Sequence, residues 1–152
     1  MTACAVGTPA VAILGGMGRT RNGSYAELVT VPAPNVVPVR TSLDWTSLVA
    51  IPEVYATAWL ALSGNLDLRP GQTVLVRGGT SALGQAAVNI AAGAGVTVLA
   101  STRRADRAGL LREIGAATVL TDDGRLADQV AGSIALGPGG GGAAAGRWFP
   151  VG

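Results

Sequence analysis

Apolar positions follow two different rhythms along the chain. In the first part they come as short runs, Val11-Ala12-Ile13-Leu14 and Tyr25 to Val31, separated by Gly15-Gly16-Met17-Gly18 and Asn22-Gly23-Ser24, which predicts strands joined by turns. Pro32, Pro34 and Pro38 remove ladder donors and fix φ, so residues 32–40 are expected to form an extended connection without regular pairing. Asp44 is then placed to cap a short helix reaching Ala50, and Pro52 suits the first turn of a second helix. Tyr55, Ala58, Trp59 and Leu62 recur at i, i+3, i+4 and i+7, predicting its buried face, and Gly64 is placed to end it.

From Pro70-Gly71 onward the rhythm is that of a parallel α/β unit. Thr73 to Arg77 has the continuous β-branched character of a strand covered on both faces. A helix follows with Leu83, Ala86, Ala87, Ile90 and Ala91 as its apolar stripe, closed by Gly93 and Gly95. Val96 to Ala100 predicts a second strand, residues 104–114 a second helix with Leu110, Leu111 and Ile114 buried, and Ala117 to Leu120 a third strand. Strand, helix, strand, helix, strand implies a parallel sheet with right-handed crossovers. Beyond about Leu126 the pattern fades, and residues 137–152, rich in Gly and Ala, are expected to be a disordered tail.

Composition narrows the function classes. Charged residues make up 13% of the 152 positions, against about 25% in an ordinary soluble domain, so most of the chain reads as interior. The net charge is +2 and the arginines form no long basic run, which points away from nucleic-acid and membrane partners. Gly78 to Thr102 lacks charge, but Gln85, Asn89 and Gly93-Ala94-Gly95 interrupt it as a membrane span. Cys4 is the sole cysteine and there is no histidine, so no intramolecular disulfide and no metal site are expected, and a reducing cytoplasm is the simplest setting. The stretch Val11 to Leu14 is too short, and lacks the preceding basic residues, for a secretory signal.

The candidate chemistry lies in two places. Gly78-Gly79-Thr80-Ser81-Ala82-Leu83-Gly84 joins a buried strand to a helix, where backbone N–H groups and the positive helix end can approach a diphosphate. Ser81 stands where the strict G-x-G-x-x-G pattern has its second glycine, and an ordinary tight turn without ligand is the alternative. About 20 residues on, where a dinucleotide site reads the adenosine ribose, the chain has Ser101-Thr102-Arg103-Arg104 and no acid before Asp106. Hydroxyls and guanidinium groups suit a 2′-phosphate, so the expected cofactor is NADPH rather than NADH. The alternative for Arg103 and Arg104 is a solvated first helical turn, which is unfavourable for cations without a nearby anion.

Five blocks in order resemble the zinc-independent quinone oxidoreductases of the medium-chain dehydrogenase/reductase family. They are Gly15-Gly16-Met17-Gly18-Arg19, Gly23-Ser24-Tyr25-Ala26-Glu27, Tyr55-Ala56-Thr57-Ala58-Trp59, Leu68 to Val76, and Gly115-Ala116-Ala117. The resemblance covers roughly residues 10–130 and implies an α/β fold: the first half of a Rossmann doubly wound sheet preceded by a partial GroES-like, β-rich domain. It divides the chain into residues 1–40 (GroES-like), 41–69 (linking helices), 70–136 (NADP-binding) and the tail. Both domains are then incomplete. Where the resemblance stops near Val130 another helix and strand are expected, and the Gly-rich ending reads as a shifted reading frame or an assembly error.

The resemblance further implies hydride transfer from NADPH to a small quinone or activated alkene or carbonyl, and a possible homodimer in the full-length family. It places Thr57 near the nicotinamide; the alternative is a helix threonine bonded to its own preceding turn. Tyr25 and Tyr55 are expected to pack rather than donate a proton, and no catalytic residue is assigned. A non-catalytic NADP-binding remnant and a phosphate-binding module remain open as rival functions.

Overall fold

A computed structural model describes residues 4–13, 15–135 and 147–150. The chain divides into two compact units, Met1–Glu53 and Val54–Gly152.

In the first unit a two-stranded antiparallel sheet pairs β1 (Ala10–Ala12) with β2 (Val36–Pro38), Val11 lying opposite Val37. Pairing within residues 32–40 departs from the expected plain connection. Pro38 is tolerated because it ends a strand of a two-stranded sheet, while Ala33–Asn35 makes a 3-10 turn that brings Val36 alongside Ala12. Tyr25 to Val31, expected as a strand, is irregular, and Tyr25 and Leu28 are exposed rather than packed. Without a partner strand an apolar run has no ladder to join. Helix α1 (Trp45–Val49) is capped as expected: Asp44 Oδ1 accepts the Ser47 N–H at 2.9 Å. That bond, with the Ser47 hydroxyl, holds the exposed Asp44 carboxyl below its ordinary pKa.

Helix α2 (Pro52–Trp59) begins at Pro52, and Gly64 does not end it; the coil continues as a π-helical stretch, Leu60–Asn65, in which the Ser63 hydroxyl donates to Trp59 O at 2.6 Å. Its buried face is rotated from the expected one. Ala58 and Leu62 are enclosed, with Val54 and Leu66 packed against them, whereas Tyr55 and Trp59 are exposed.

The second unit is a parallel sheet of order β5-β4-β3-β6. Its strands are β3 (Thr73–Arg77), β4 (Thr97–Thr102), β5 (Thr118–Thr121) and β6 (Arg147–Pro150). The sheet is covered on both faces, as the unbroken apolar strands require. Val74, Val76, Val98 and Ala100 face α3 (Ala82–Gly93) and α4 (Ala108–Glu113), where Ala86, Ala87, Val88, Ala91 and Leu111 complete one cluster. The alternate positions Leu75, Leu99 and Leu120 meet Leu126 and Val130 of α5 (Leu126–Ala135) in a second cluster. Period-two alternation thus feeds two cores from one sheet.

Two corrections to the sequence reading fall at the end of the chain. Helix α5 runs through the region where the pattern fades, because Leu126 and Val130 alone, four residues apart, suffice to seat it. Within the segment read as a disordered tail, Arg147–Pro150 pairs in parallel with β3, Val74 opposite Arg147 and Val76 opposite Phe149. The physical reason is an open β3 edge, whose unpaired backbone groups are a template for a further strand. The rest of that segment lies outside the described residues. No helix among the described residues is long and apolar enough to cross a membrane.

Candidate nucleotide site

Strands β4 and β5 lie on one side of β3, and β6 lies on its other side. The order therefore reverses at β3, and it is outside the carboxyl ends of strands at such a switch point that open α/β sheets bind ligands. The turn Gly78 to Ser81 sits there, between β3 and α3.

Each glycine of the turn has a separate reason. Gly78 adopts φ +72°, a conformation side chains rarely take. A Cβ on Gly79 would lie 3.2 Å from Ala100 Cβ and 3.1 Å from Leu111 Cδ2. On Gly84 it would run into the Gly78 carbonyl oxygen and come within 2.8 Å of Gly79 Cα. Gly84 thus lets α3 start hard against the turn.

Ser81, the departure from the glycine pattern, is the helix cap: its Oγ accepts the Gly84 N–H and donates to Gly78 O, both at 3.0 Å. Gln85 adds a bond from Nε2 to Thr80 O at 3.0 Å. Those bonds leave the N–H groups of Thr80, Ala82 and Leu83 without a partner among the described residues. Three unpaired donors at the positive end of a twelve-residue helix make an anion cradle.

The end of β4 is brought directly to this turn. Ser101 O accepts the Gly79 N–H at 2.8 Å and Ser101 Oγ accepts the Gly78 N–H at 3.3 Å. Thr102 Oγ1 donates to Arg104 O at 3.3 Å and accepts the Arg104 N–H at 3.1 Å. Ser101 and Thr102 are 0% and 2% exposed, so the hydroxyls expected to meet a ribose phosphate are committed to holding the turn and the arginine corner.

The two arginines differ. Arg104 forks onto Asp106, Nη2 to Oδ2 at 2.6 Å and Nε to Oδ1 at 3.2 Å. The hydrogen bonds and charge of the pair push the Arg104 pKa up and hold the Asp106 carboxyl low. Arg103 is exposed and makes no ion pair among the described residues. Arg107 ends the 3-10 turn Ala105–Arg107 close enough to act on Asp106 by its charge. Nothing in the sequence pattern singles Arg107 out, yet its spacing of three from Arg104 in a 3-10 turn, where such positions eclipse, brings it to the same corner.

Thr57 is not brought into this cluster by any recorded contact. It is exposed on α2, and its hydroxyl makes no bond to the preceding turn, unlike Ser63. Tyr55 is tethered, its hydroxyl donating to Asn89 Oδ1 at 3.4 Å. A separate hollow in the first unit, lined by Val11, Ile13, Met17, Trp45, Leu48 and Val49 among others, offers mostly apolar walls.

No family model matches the chain. It is 34% identical over 109 residues to the quinone oxidoreductase-like protein 2 homolog of Nematostella vectensis, covering 71% of this chain and 29% of that protein. With the phthioceranic/hydroxyphthioceranic acid synthase of Mycobacterium tuberculosis it shares 35% over 98 residues, 64% of this chain and 5% of the synthase. The chain therefore spans less than a third of the first relative and a twentieth of the second. A quinone oxidoreductase from Thermus thermophilus, solved also in complex with NADPH, superposes with a TM-score of 0.71 at 29% identity, over 86% of this chain and 41% of that one.

Proposed function

We propose that this chain, similar to the quinone oxidoreductase-like members of the medium-chain dehydrogenase/reductases, binds NADPH at the carboxyl ends of β3 and β4 and directs its hydride to a small quinone or activated alkene or carbonyl. The observation that carries this reading is the glycine turn at the switch point, with its unpaired Thr80, Ala82 and Leu83 N–H groups. They suit a diphosphate in number and in position on the helix end.

Arg103 receives the 2′-phosphate in this reading, with Arg104 and Arg107 raising the local positive field. Ser101 and Thr102 act from beneath, by fixing the turn and the arginine backbone. Thr57 is assigned to the nicotinamide end by family resemblance, supported by an exposed hydroxyl with no competing bond. NADPH supplies a hydride when bound; this chain binds and orients it. The same resemblance implies a homodimer for the full-length family, and the single cysteine fits a cytoplasmic setting.

Titration of the purified chain, read by nicotinamide fluorescence, is expected to give tighter binding of NADPH than of NADH. Arg103→Ala should weaken NADPH binding by about 1–3 kcal/mol, the worth of a charged hydrogen bond, and leave NADH nearly unmoved. An unchanged preference would refute the assignment. NADPH oxidation in the presence of a quinone or an enone separates a working enzyme from a remnant that binds without turnover. Equal affinity for inorganic phosphate would favour the phosphate module.

A further inference from the structure

All four parallel strands end at the same edge of the sheet, and the polar groups there are linked. Arg77, the last residue of β3, donates from Nε to Asp122 Oδ2 at 2.9 Å, spanning β4 to reach the residue after β5. The Asp122 side chain is 13% exposed, whereas both partners of every other recorded ion pair are more than half exposed. The Asp122 N–H donates to Thr102 O at 2.9 Å, and Thr102 Oγ1 grips both the N–H and the carbonyl of Arg104. On the other side of the same strand end, Ser101 holds Gly78 and Gly79. The end of β4 is thus a hub, joined through Ser101 to the glycine turn and through Thr102 to the arginine corner and Asp122.

We propose that Arg77 and Asp122 are positioning residues for nucleotide binding: their ion pair clasps the end of β4 from both flanking strands and holds the Arg103–Arg104 backbone in register with the glycine turn. The role rests on the NADPH reading above. Arg103 follows Thr102 directly, so slack at Thr102 passes undiminished to the guanidinium that meets the phosphate. Arg77 itself touches no nucleotide in this arrangement; it acts through Asp122.

Charge and clasp make opposite claims for one variant. Asp122→Asn makes the chain more positive, so bulk electrostatics calls for tighter binding of an anion; loss of the clasp calls for weaker binding. The Kd for NADPH is therefore measured by fluorescence titration for the parent, Arg77→Met, Asp122→Asn and the double variant. Both single changes are expected to weaken binding about fivefold, and the double to be no weaker than the worse single, as for two residues acting as a unit.

Binding by Asp122→Asn as tight as the parent or tighter, or additive losses in the double, would overturn the proposal. Should Arg77→Met unfold, Arg77→Lys, which keeps the charge and loses the Nε–H that reaches Asp122, takes its place in the cycle. Amide exchange in the ligand-free chain gives a second arm: the Gly79 and Arg104 N–H groups should exchange faster in both single variants, and unchanged protection would also overturn the clasp. A parent chain that binds no NADPH refutes the cofactor reading, while the exchange arm still decides the clasp.

Discussion

Gly84→Ala is expected to destabilise the second unit by about 2–3 kcal/mol, the range for forcing atoms into filled space. The added methyl would meet only backbone: the Gly78 carbonyl oxygen, Gly79 Cα at 2.8 Å and Gly79 C at 2.9 Å. None of these has a rotamer to change. Relief requires α3 to back away from β3, and that motion disturbs the Ser81 cap and the unpaired N–H groups together. NADPH affinity should therefore fall about tenfold or more, equal to roughly 1.4 kcal/mol or above, even in the fraction that stays folded. Gly93→Ala is the control. It lies on the same helix with nothing within 4 Å of the new methyl, and should be neutral or stabilise by up to about 1 kcal/mol. Urea denaturation followed by circular dichroism compares the two, and equal stabilities would remove the packing argument for Gly84.

Leu111→Ala should lose about 3 kcal/mol, within the 2–5 found for truncating enclosed leucines. Leu111 is 0% exposed and is the main apolar anchor of α4 in the larger core cluster. Its Cδ2 lies where a Gly79 side chain would reach, so the cavity left behind opens beneath the glycine turn as well as inside the core. The loss of stability should come with weaker NADPH binding, whereas trimming Ile134, exposed on α5, should leave both unchanged. A Leu111→Ala chain with parental stability would mean that the core relaxes to fill the space.

The five central elements were legible because their patterns are one-sided in kind. Thr73 to Val76 and Val96 to Ala100 are unbroken β-branched or apolar runs, and such runs fit only strands covered twice. The glycine turn was legible in its place between strand and helix, but its donors were not: that Ser81 would consume the Gly84 N–H and leave Thr80, Ala82 and Leu83 free depends on rotamer and cap geometry. Ser101 and Thr102 were read as ligands because hydroxyls beside arginines suit a phosphate; burial, which sequence does not state, turned them inward. Tyr25 to Val31 has strand composition and no strand, since pairing is a property of the neighbour as much as of the run. Strand β6 was hidden by the Gly-rich composition around it.

The sheet order also dictates a sequence of assembly. Strands β3, β4 and β5 find their partners close by along the chain, Val74 with Val98 and Leu99 with Thr118, while β6 must return from Arg147 to Val74. Closing the longest loop carries the largest chain-entropy penalty, and contacts between distant residues form late. The three-strand core is therefore expected to condense first and β6 to dock last, completing the switch point at β3 only at the final step. On the proposed reading, a nucleotide seated there would act as a fastener, stabilising the docked state by mass action and drawing the last strand home.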